Sequence, residues 1–441
     1  MNQFKNIVVV GGGYTGIATA NELSNKGFSV ALIEKGNYLG GLGKTINLSN
    51  GYECEAFYHH FFTHDSDLLS YSEQFLKVKP KFNETKMAIF FKGKHNSWNG
   101  IIDLIKYPHI NLVGKVRFLL ATLLLSKKLM NSKFLDNTNL SNGLLKLYGD
   151  KSYTSIWNPM IKGKFGNKVD SIPLRWMEGR LKQRVESRKA GKEKLGFLEG
   201  SLSKLTDSIT NNIKKHKSEI LTNSLIENII FNKDTKKYEL LVDENGLRRN
   251  IFTDKIIFTT SSKVANKLIE NIETSHKNWL NHKYFTAYCV VIELKESLSE
   301  YYWTNIADRD LFFCGYIEQT RLTGNSEYGG LNIAYLTKYV YLDENEKTLS
   351  NEDLKQKAYY ALRKLFPERN IEKIVKNLYF SISENAQVVT DFNFKETNME
   401  LLKKHNLFLG NMSNVYPDER SINNAIKVGK KLASLAIKNF K

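Results

Sequence analysis

The sequence predicts an α/β fold of more than one domain, and three observations predict it. The chain has 441 residues, more than one hydrophobic core ordinarily serves. Residues 6–10 (NIVVV) form a β-branched run that leads without a break into Gly11-Gly12-Gly13-Tyr14-Thr15-Gly16. A helical pattern with Ile17, Ala20 and Leu23 on one face follows, then a second apolar run at 29–33 (SVALI) closed by Glu34. Strand, glycines, helix, strand and acid in that order predict a Rossmann-like dinucleotide-binding unit.

Each part of that unit has a physical job. Gly11 permits the tight turn out of the strand, Gly13 lets the backbone approach a diphosphate, and Gly16 lets the helix pack close to the sheet. The helix N-terminus at Tyr14 and Thr15 offers free N–H groups and about half an elementary charge to phosphate oxygens. Glu34, with Lys35 beside it, is placed at the end of the second strand to accept hydrogen bonds from a ribose.

Composition narrows the partners. The net charge is +18, but the basic residues are scattered, and the densest group, between Arg180 and Lys194, also holds Glu186 and Glu193. No zinc-finger or RNP-type motif occurs, so nucleic acid is excluded. A small-molecule substrate carrying negative charge, or an anionic membrane surface, suits the positive field better. The three cysteines (Cys54, Cys289, Cys314) are far apart, with no metal-ligand spacing and no redox dithiol, which points to a reducing cytoplasm and no metal. The N-terminus runs straight into a strand without a signal peptide.

Residues 112–129 contain the apolar run FLLATLLL, with Lys115 and Arg117 before it and Lys127 and Lys128 after it. A run of eight residues cannot cross a bilayer, which needs about twenty. Two readings stay open. The helix is buried in the second domain, or it dips into one leaflet with its lysines at the headgroups, making the protein peripheral on the inner face of the membrane.

A second glycine block, Leu39-Gly40-Gly41-Leu42-Gly43-Lys44-Thr45, follows Glu34 closely, and the C-terminus carries Leu407-Phe408-Leu409-Gly410-Asn411 before 416–425 (YPDERSINNA). These motifs together resemble the glutathione-reductase-type FAD fold. More narrowly they resemble the branch that holds amine oxidases, phytoene desaturases, protoporphyrinogen oxidases and UDP-galactopyranose mutases. The resemblance implies FAD as cofactor, with Gly40, Gly41 and Leu42 along its diphosphate and flavin end and Lys44 where an Arg is usual. It puts Gly410 and Asn411, where most relatives have Gly-Asp, beside a ribityl or phosphate oxygen. A helix beginning near Asn423, with Asn424 and Ala425, points its N–H groups at the flavin pyrimidine, where reduced flavin is negative. It further implies a discontinuous FAD-binding domain (1–75, 196–268 and 396–441), completed by strands at 220–231, 238–242 and 255–261. A mixed α+β substrate-binding domain takes the rest. Its first piece (76–195) is largely helical by pattern, and its second (269–395) has strand-like runs at 286–294, 330–337 and 378–383.

Three segments are candidates for chemistry. Residues 55–65 (EAFYHHFFTHD) follow the second glycine block closely and loosely resemble the His-containing segment beside the flavin in UDP-galactopyranose mutases. His59 or His60 then hydrogen-bonds flavin or substrate, or shuttles protons near neutral pH; the plain alternative is a histidine packed among aromatics. Residues 157–166 (WNPMIKGKFG) resemble a stretch lying over the cofactor in protoporphyrinogen-oxidase-like proteins. Lys162 or Lys164 could meet an anionic substrate there, or either is an exposed lysine of a Lys-rich chain. Tyr416 and Arg420 are carried to the flavin edge by the C-terminal motif. The resemblance implies an FAD-dependent oxidoreductase of the amine oxidase/protoporphyrinogen oxidase type, taking a hydride from an organic substrate at flavin N5. Two alternatives remain open: a non-redox nucleotide-sugar mutase, and a flavin-binding protein without catalysis.

Overall fold

The structure, a computed structural model, describes residues 3–189, 192–270, 282–343, 346–401 and 405–438. The predicted first strand runs Gln3–Val10 and lies parallel to Val30–Ile33 on one side and Leu247–Phe258 on the other. Its side chains alternate between two cores. Ile7 and Val9 pack with the helices Tyr14–Asn25, Ser201–Lys215 and Ile422–Lys438, while Val8 and Val10 pack on the opposite face with Tyr238, Leu240 and Phe258. Burial on both faces is why this strand is uniformly apolar instead of alternating. Each such aliphatic side chain contributes about 1.5–3 kcal/mol when fully buried.

Two sequence expectations need correction in this sheet. The run at 220–231 is not one strand but two, Glu219–Leu221 and Ser224–Asn232. The first pairs parallel with Val30–Ile33 and the second antiparallel with Lys237–Glu244, so the chain must break direction between them, at Asn223 with φ +49°. The run at 255–261 is the end of a twelve-residue strand that stops at Phe258. Thr259 then turns its hydroxyl onto the carbonyls of Val10 and Gly11, both at 3.0 Å. Leu407–Leu409 adds parallel to Ile256–Phe258 and brings the C-terminal segment to the same end of the sheet as the glycine turn.

A second seven-stranded sheet is mixed and mostly antiparallel, in the order Val375–Val388, Tyr284–Leu294, Asn332–Tyr341, Gly315–Glu318, Trp303–Ile306, Met87–Phe91, Lys94–Ser97. The region 76–195 is therefore less purely helical than its pattern suggests: it gives two strands to this sheet, and Lys81–Glu84 and Lys192–Phe197 to a smaller one. Glu293 ties two neighbouring strands of the mixed sheet to the loop at Ser49, a few residues after the second glycine block. Its buried carboxylate accepts hydrogen bonds from Ser49 N (2.7 Å), Ser49 Oγ (2.8 Å), Asn377 Nδ2 (2.7 Å) and Tyr379 Oη (2.7 Å).

Residues 112–129 form the helix Leu112–Ser126. Phe118, Ala121 and Leu125 are buried, with Phe118 stacked 5.6 Å from Trp157. The opposite side is not covered: Leu112 is 74% exposed, Val116 53% and Leu120 57%. The reading of this helix as buried in the second domain is overturned. Among the described residues no helix is long and apolar enough to cross a membrane.

Candidate active site

The two glycine blocks are held against each other. Gly11 turns at φ +106° and donates its N–H to Ile33 O at 2.8 Å. A methyl group on Gly16 would stand 1.9 Å from Gly11 O, which only glycine avoids. Gly40 N–H donates to Gly12 O at 2.8 Å, Gly13 and Gly40 form a parallel bridge, and a Cβ on Gly41 would lie 3.1 Å from Gly13 Cα. The helix Tyr14–Asn25 starts at Gly13 without a side-chain cap, so its first N–H groups face the space in front of both turns. An uncapped helix N-terminus flanked by bare backbone fits a diphosphate.

A cavity of about 310 Å³ opens from this cradle. Gly13, Tyr14, Thr15, Gly40 and Leu42 form its floor; Asn411, Tyr416, Arg420 and Ala425 come from the C-terminal segment; His59 and His60 line one wall. The helix Arg175–Glu186 turns Trp176, Arg180 and Gln183 into it, and the second sheet adds Trp303 and Tyr339. Close packing fixes that helix, because a Cβ on Gly179 would meet Pro417 O at 2.3 Å.

The charges in the cavity are unevenly matched. Glu419 lies 3.5 Å from Lys164 Nζ and also pairs with Arg180. Lys164 sits among aromatic faces, 5.0 Å from the Trp176 ring centroid and 5.5 Å from that of Tyr339. Burial, then Arg180 and Arg420, hold its ammonium well below the ordinary lysine range. Arg420 hydrogen-bonds the Ala386 carbonyl and the Tyr339 hydroxyl, both neutral, and lies 5.1 Å over the Tyr339 ring. Asp418 and Glu419 line the same cavity as Lys164, Arg180 and Arg420, and of the three basic side chains Arg420 is the one whose hydrogen bonds go to neutral groups.

Both histidines are held neutral. His59 Nδ1 donates to Phe57 O at 2.7 Å, and His60 Nδ1 shares a proton with Tyr302 Oη at 3.0 Å. Burial pulls His59 down to about 4, and burial with Arg184 and Arg180 pulls His60 well below its usual range. Proton shuttling near neutral pH, one of the roles the sequence suggested, does not suit either residue. They can still hydrogen-bond a ligand.

Several expected cofactor residues are engaged elsewhere. Glu34 accepts from Gly12 N at 2.6 Å and Gly36 N at 2.8 Å, so it braces the loop. Lys35 is exposed. Lys44 donates to Tyr38 Oη at 3.0 Å and covers that ring, away from the cavity. Asn411 Nδ2 donates to Thr260 O, just after the strand ending at Phe258, its Oδ1 accepts from Ser413 N within its own turn, and Gly410 makes room for Leu432. Asn423 caps the helix Ser66–Leu76 through Asp67 N and Leu68 N, and Asn424 bonds Glu419 O. Lys162 is exposed on the outer side of its helix while Lys164 faces in. Trp176, Arg180, Gln183, Trp303, Tyr339 and Glu419 were not anticipated as site residues. A trace of the first three exists in the sequence, since Trp176, Arg180 and Gln183 are spaced four and three apart, one helical face.

The model of the flavin-containing amine oxidoreductases matches residues 14–399, and the chain belongs to that family. Its cofactor is FAD, and it is a flavin-dependent oxidoreductase. No curated protein sequence matches the chain. Among solved structures, it is similar to a candidate protoporphyrinogen oxidase from Exiguobacterium sp. 255-15 (TM-score 0.72, 15% identity, covering 98% of this chain and 99% of that one). It is similar as well to the cyclohexylamine oxidase from Brevibacterium oxydans IH-35A (0.71, 13%, 99% and 99%). A reduced UDP-galactopyranose mutase shares the fold too (0.73, 12%, 98% and 94%).

Proposed function

We propose that the enzyme oxidises a small anionic organic molecule, in spite of a family name that points to amines. The observation that carries this is Arg420, which lines the cavity and hydrogen-bonds the neutral Ala386 carbonyl and Tyr339 hydroxyl, while Glu419 pairs with Lys164 and Arg180. A cationic amine would be repelled by Arg420, whereas a carboxylate or phosphate would pair with it. FAD held on the glycine cradle supplies the hydride acceptor, at N5.

The chain's own groups do the rest. Gly13, Thr15 and the N–H groups of the first helix turn bind the diphosphate, and Glu34 takes the ribose. Arg180 and Arg420 hold the substrate's anionic group, so that its reacting carbon is fixed before transfer. Trp176, Trp303 and Tyr339 exclude water from the charged pair and strengthen it. Neutral His59 and His60 orient polar groups. The reading divides the chain into a FAD-binding domain (1–75, 196–268 and 396–441) and a substrate-binding domain (76–195 and 269–395). It also places the enzyme in the cytoplasm, peripheral on an anionic membrane through residues 112–129.

Anaerobic stopped-flow with a panel of carboxylates, matched amines and neutral analogues tests the substrate class. Flavin bleaching by carboxylates and not by amines is the expected result; the reverse order rejects it. A second reading, a nucleotide-sugar mutase, draws on the same cationic group beside Trp176 and Trp303, which suits a diphosphate joined to a stacking base. Turnover of a nucleotide-sugar only after dithionite reduction would decide for it.

A further inference from the structure

We propose that the helix Leu112–Ser126 and the neighbouring helix Ile101–Lys106 form one face that docks flat on a bilayer of anionic lipid, a proposal that deepens the peripheral-membrane part of the reading above. Among the described residues, 12 of the 23 exposed large hydrophobic side chains fall between 101 and 134. Leu112, Val116, Leu119, Leu120, Leu123 and Leu124 are 39–74% exposed, on a stripe opposite the buried Phe118, Ala121 and Leu125. Ile101, Ile102 and Ile105 extend it, at 58–67% exposed. A helix apolar on both sides, one packed and one bare, is built for two apolar neighbours, and the described residues supply one.

The charge around the face selects its occupant. The two basic side chains inside the helix are turned away from the stripe: Lys115 reaches Ile105 O, and Arg117 bonds Leu147 O (2.9 Å) and Lys146 O. Lys106, Lys127, Lys128 and Lys133 stand exposed at its ends. Between 101 and 134 the only acidic residue is Asp103, and its carboxylate is taken by Ser97 and Asn99. An apolar strip about 22 Å long, from fifteen residues at 1.5 Å each, ending in lysines, matches acyl chains beneath phosphate headgroups. A second copy of the chain would bring the same lysines against these. Leu112–Ser126 packs directly on Arg175–Glu186, the helix that carries Trp176 and Arg180 into the cavity, so the docked enzyme holds its substrate site one helix away from the lipid.

Sedimentation of the full-length, FAD-loaded protein with phosphatidylcholine vesicles, with and without phosphatidylglycerol, tests this. Wild type is expected to sediment only when phosphatidylglycerol is present. Leu120→Glu/Leu123→Glu should lower partitioning by at least about tenfold, and Lys127→Glu/Lys128→Glu by roughly fivefold per lysine. Both should keep the wild-type flavin absorbance, and because the lysines are fully surface groups the second variant decides if the first folds poorly. Three results overturn the proposal: wild type staying in the supernatant, equal binding to neutral vesicles, or a concentration-dependent dimer that Leu120→Glu/Leu123→Glu dissolves while vesicle binding is unchanged. The assay reads no turnover, so its failure leaves the redox reading standing, and a panel that never bleaches the flavin leaves docking standing.

Discussion

Glu419→Gln separates the charge argument for the substrate from a merely structural one. The carboxylate lies 3.5 Å from Lys164 Nζ and also pairs with Arg180. At an effective dielectric of about 20, unit charges at that distance attract by about 5 kcal/mol before desolvation. The three side chains keep 18–25% of their surface open to the cavity, so screening and the cost of burying them leave a net loss on the order of 1–3 kcal/mol when the charge is removed. For a chain of this size that lowers the melting temperature by a few degrees. Glutamine keeps the shape, so the cavity becomes more positive without being remodelled. A carboxylate substrate should then bind up to about tenfold tighter, equivalent to about 1.4 kcal/mol, with a matched neutral analogue unchanged. Scanning calorimetry of the FAD-loaded protein reads the first effect, and the concentration dependence of anaerobic flavin reduction reads the second. An unchanged melting temperature together with unchanged charge selectivity refutes the electrostatic account; tighter binding of an amine refutes the substrate class.

Gly16→Ala drives a methyl group to 1.9 Å from the Gly11 carbonyl, a backbone atom that cannot step aside. The first helix must move off the first strand, and FAD affinity of the apoprotein, measured by fluorescence titration, should fall roughly ten- to a hundredfold. His59, lowered to about 4 by burial, is neutral in the folded protein down to that pH and binds a proton in the unfolded chain below about 6.5. Its contribution is therefore fully present above about pH 6.5 and is lost as pH falls towards 4; melting temperatures across that window should decline less in His59→Gln. Glu293→Ala strands the partners Ser49, Asn377 and Tyr379 and should cost about 2–4 kcal/mol in urea denaturation, whereas an exposed control such as Glu73→Ala should cost under about 0.5 kcal/mol.

The glycine unit was legible because each glycine answers a local demand: Gly11 a left-handed φ, Gly16 a distance to a backbone atom six residues or fewer away in the chain. Strands at 6–10, 286–294 and 407–409 were legible because burial on both faces leaves apolar runs within them, at 7–10, 287–292 and 407–409. What failed was side-chain direction. Lys162 and Lys164 are two residues apart on one helix and so lie about 200° apart; only one of them can face the cavity, and sequence alone gave no way to choose. Asn423 and Asn424 lie at the start of the helix Ile422–Lys438, and their amides are consumed by Asp67, Leu68 and Glu419, partners that only the fold supplies. Arg180 was hidden among the other basic residues of its cluster, and what singles it out is a glycine at 179 that lets the C-terminal loop close against its helix.

The same blindness to direction governs the helix Leu112–Ser126. Apolar all round, it resembles a buried core helix, because hydropathy counts residues and does not ask whether a neighbour exists on each side. The fold places Phe118 and Trp157 against one side, and among the described residues the other side is left open. That bare side and the positive cavity are two faces of one block, joined through the Arg180 helix. A sequence selected only for a soluble enzyme has no reason to keep Leu120, Leu123 and Leu124 open to water, where each exposed leucine favours aggregation. Their retention beside four exposed lysines is explained if the enzyme works against an anionic surface, and the positive cavity one helix behind it then draws on the same field that holds the protein there.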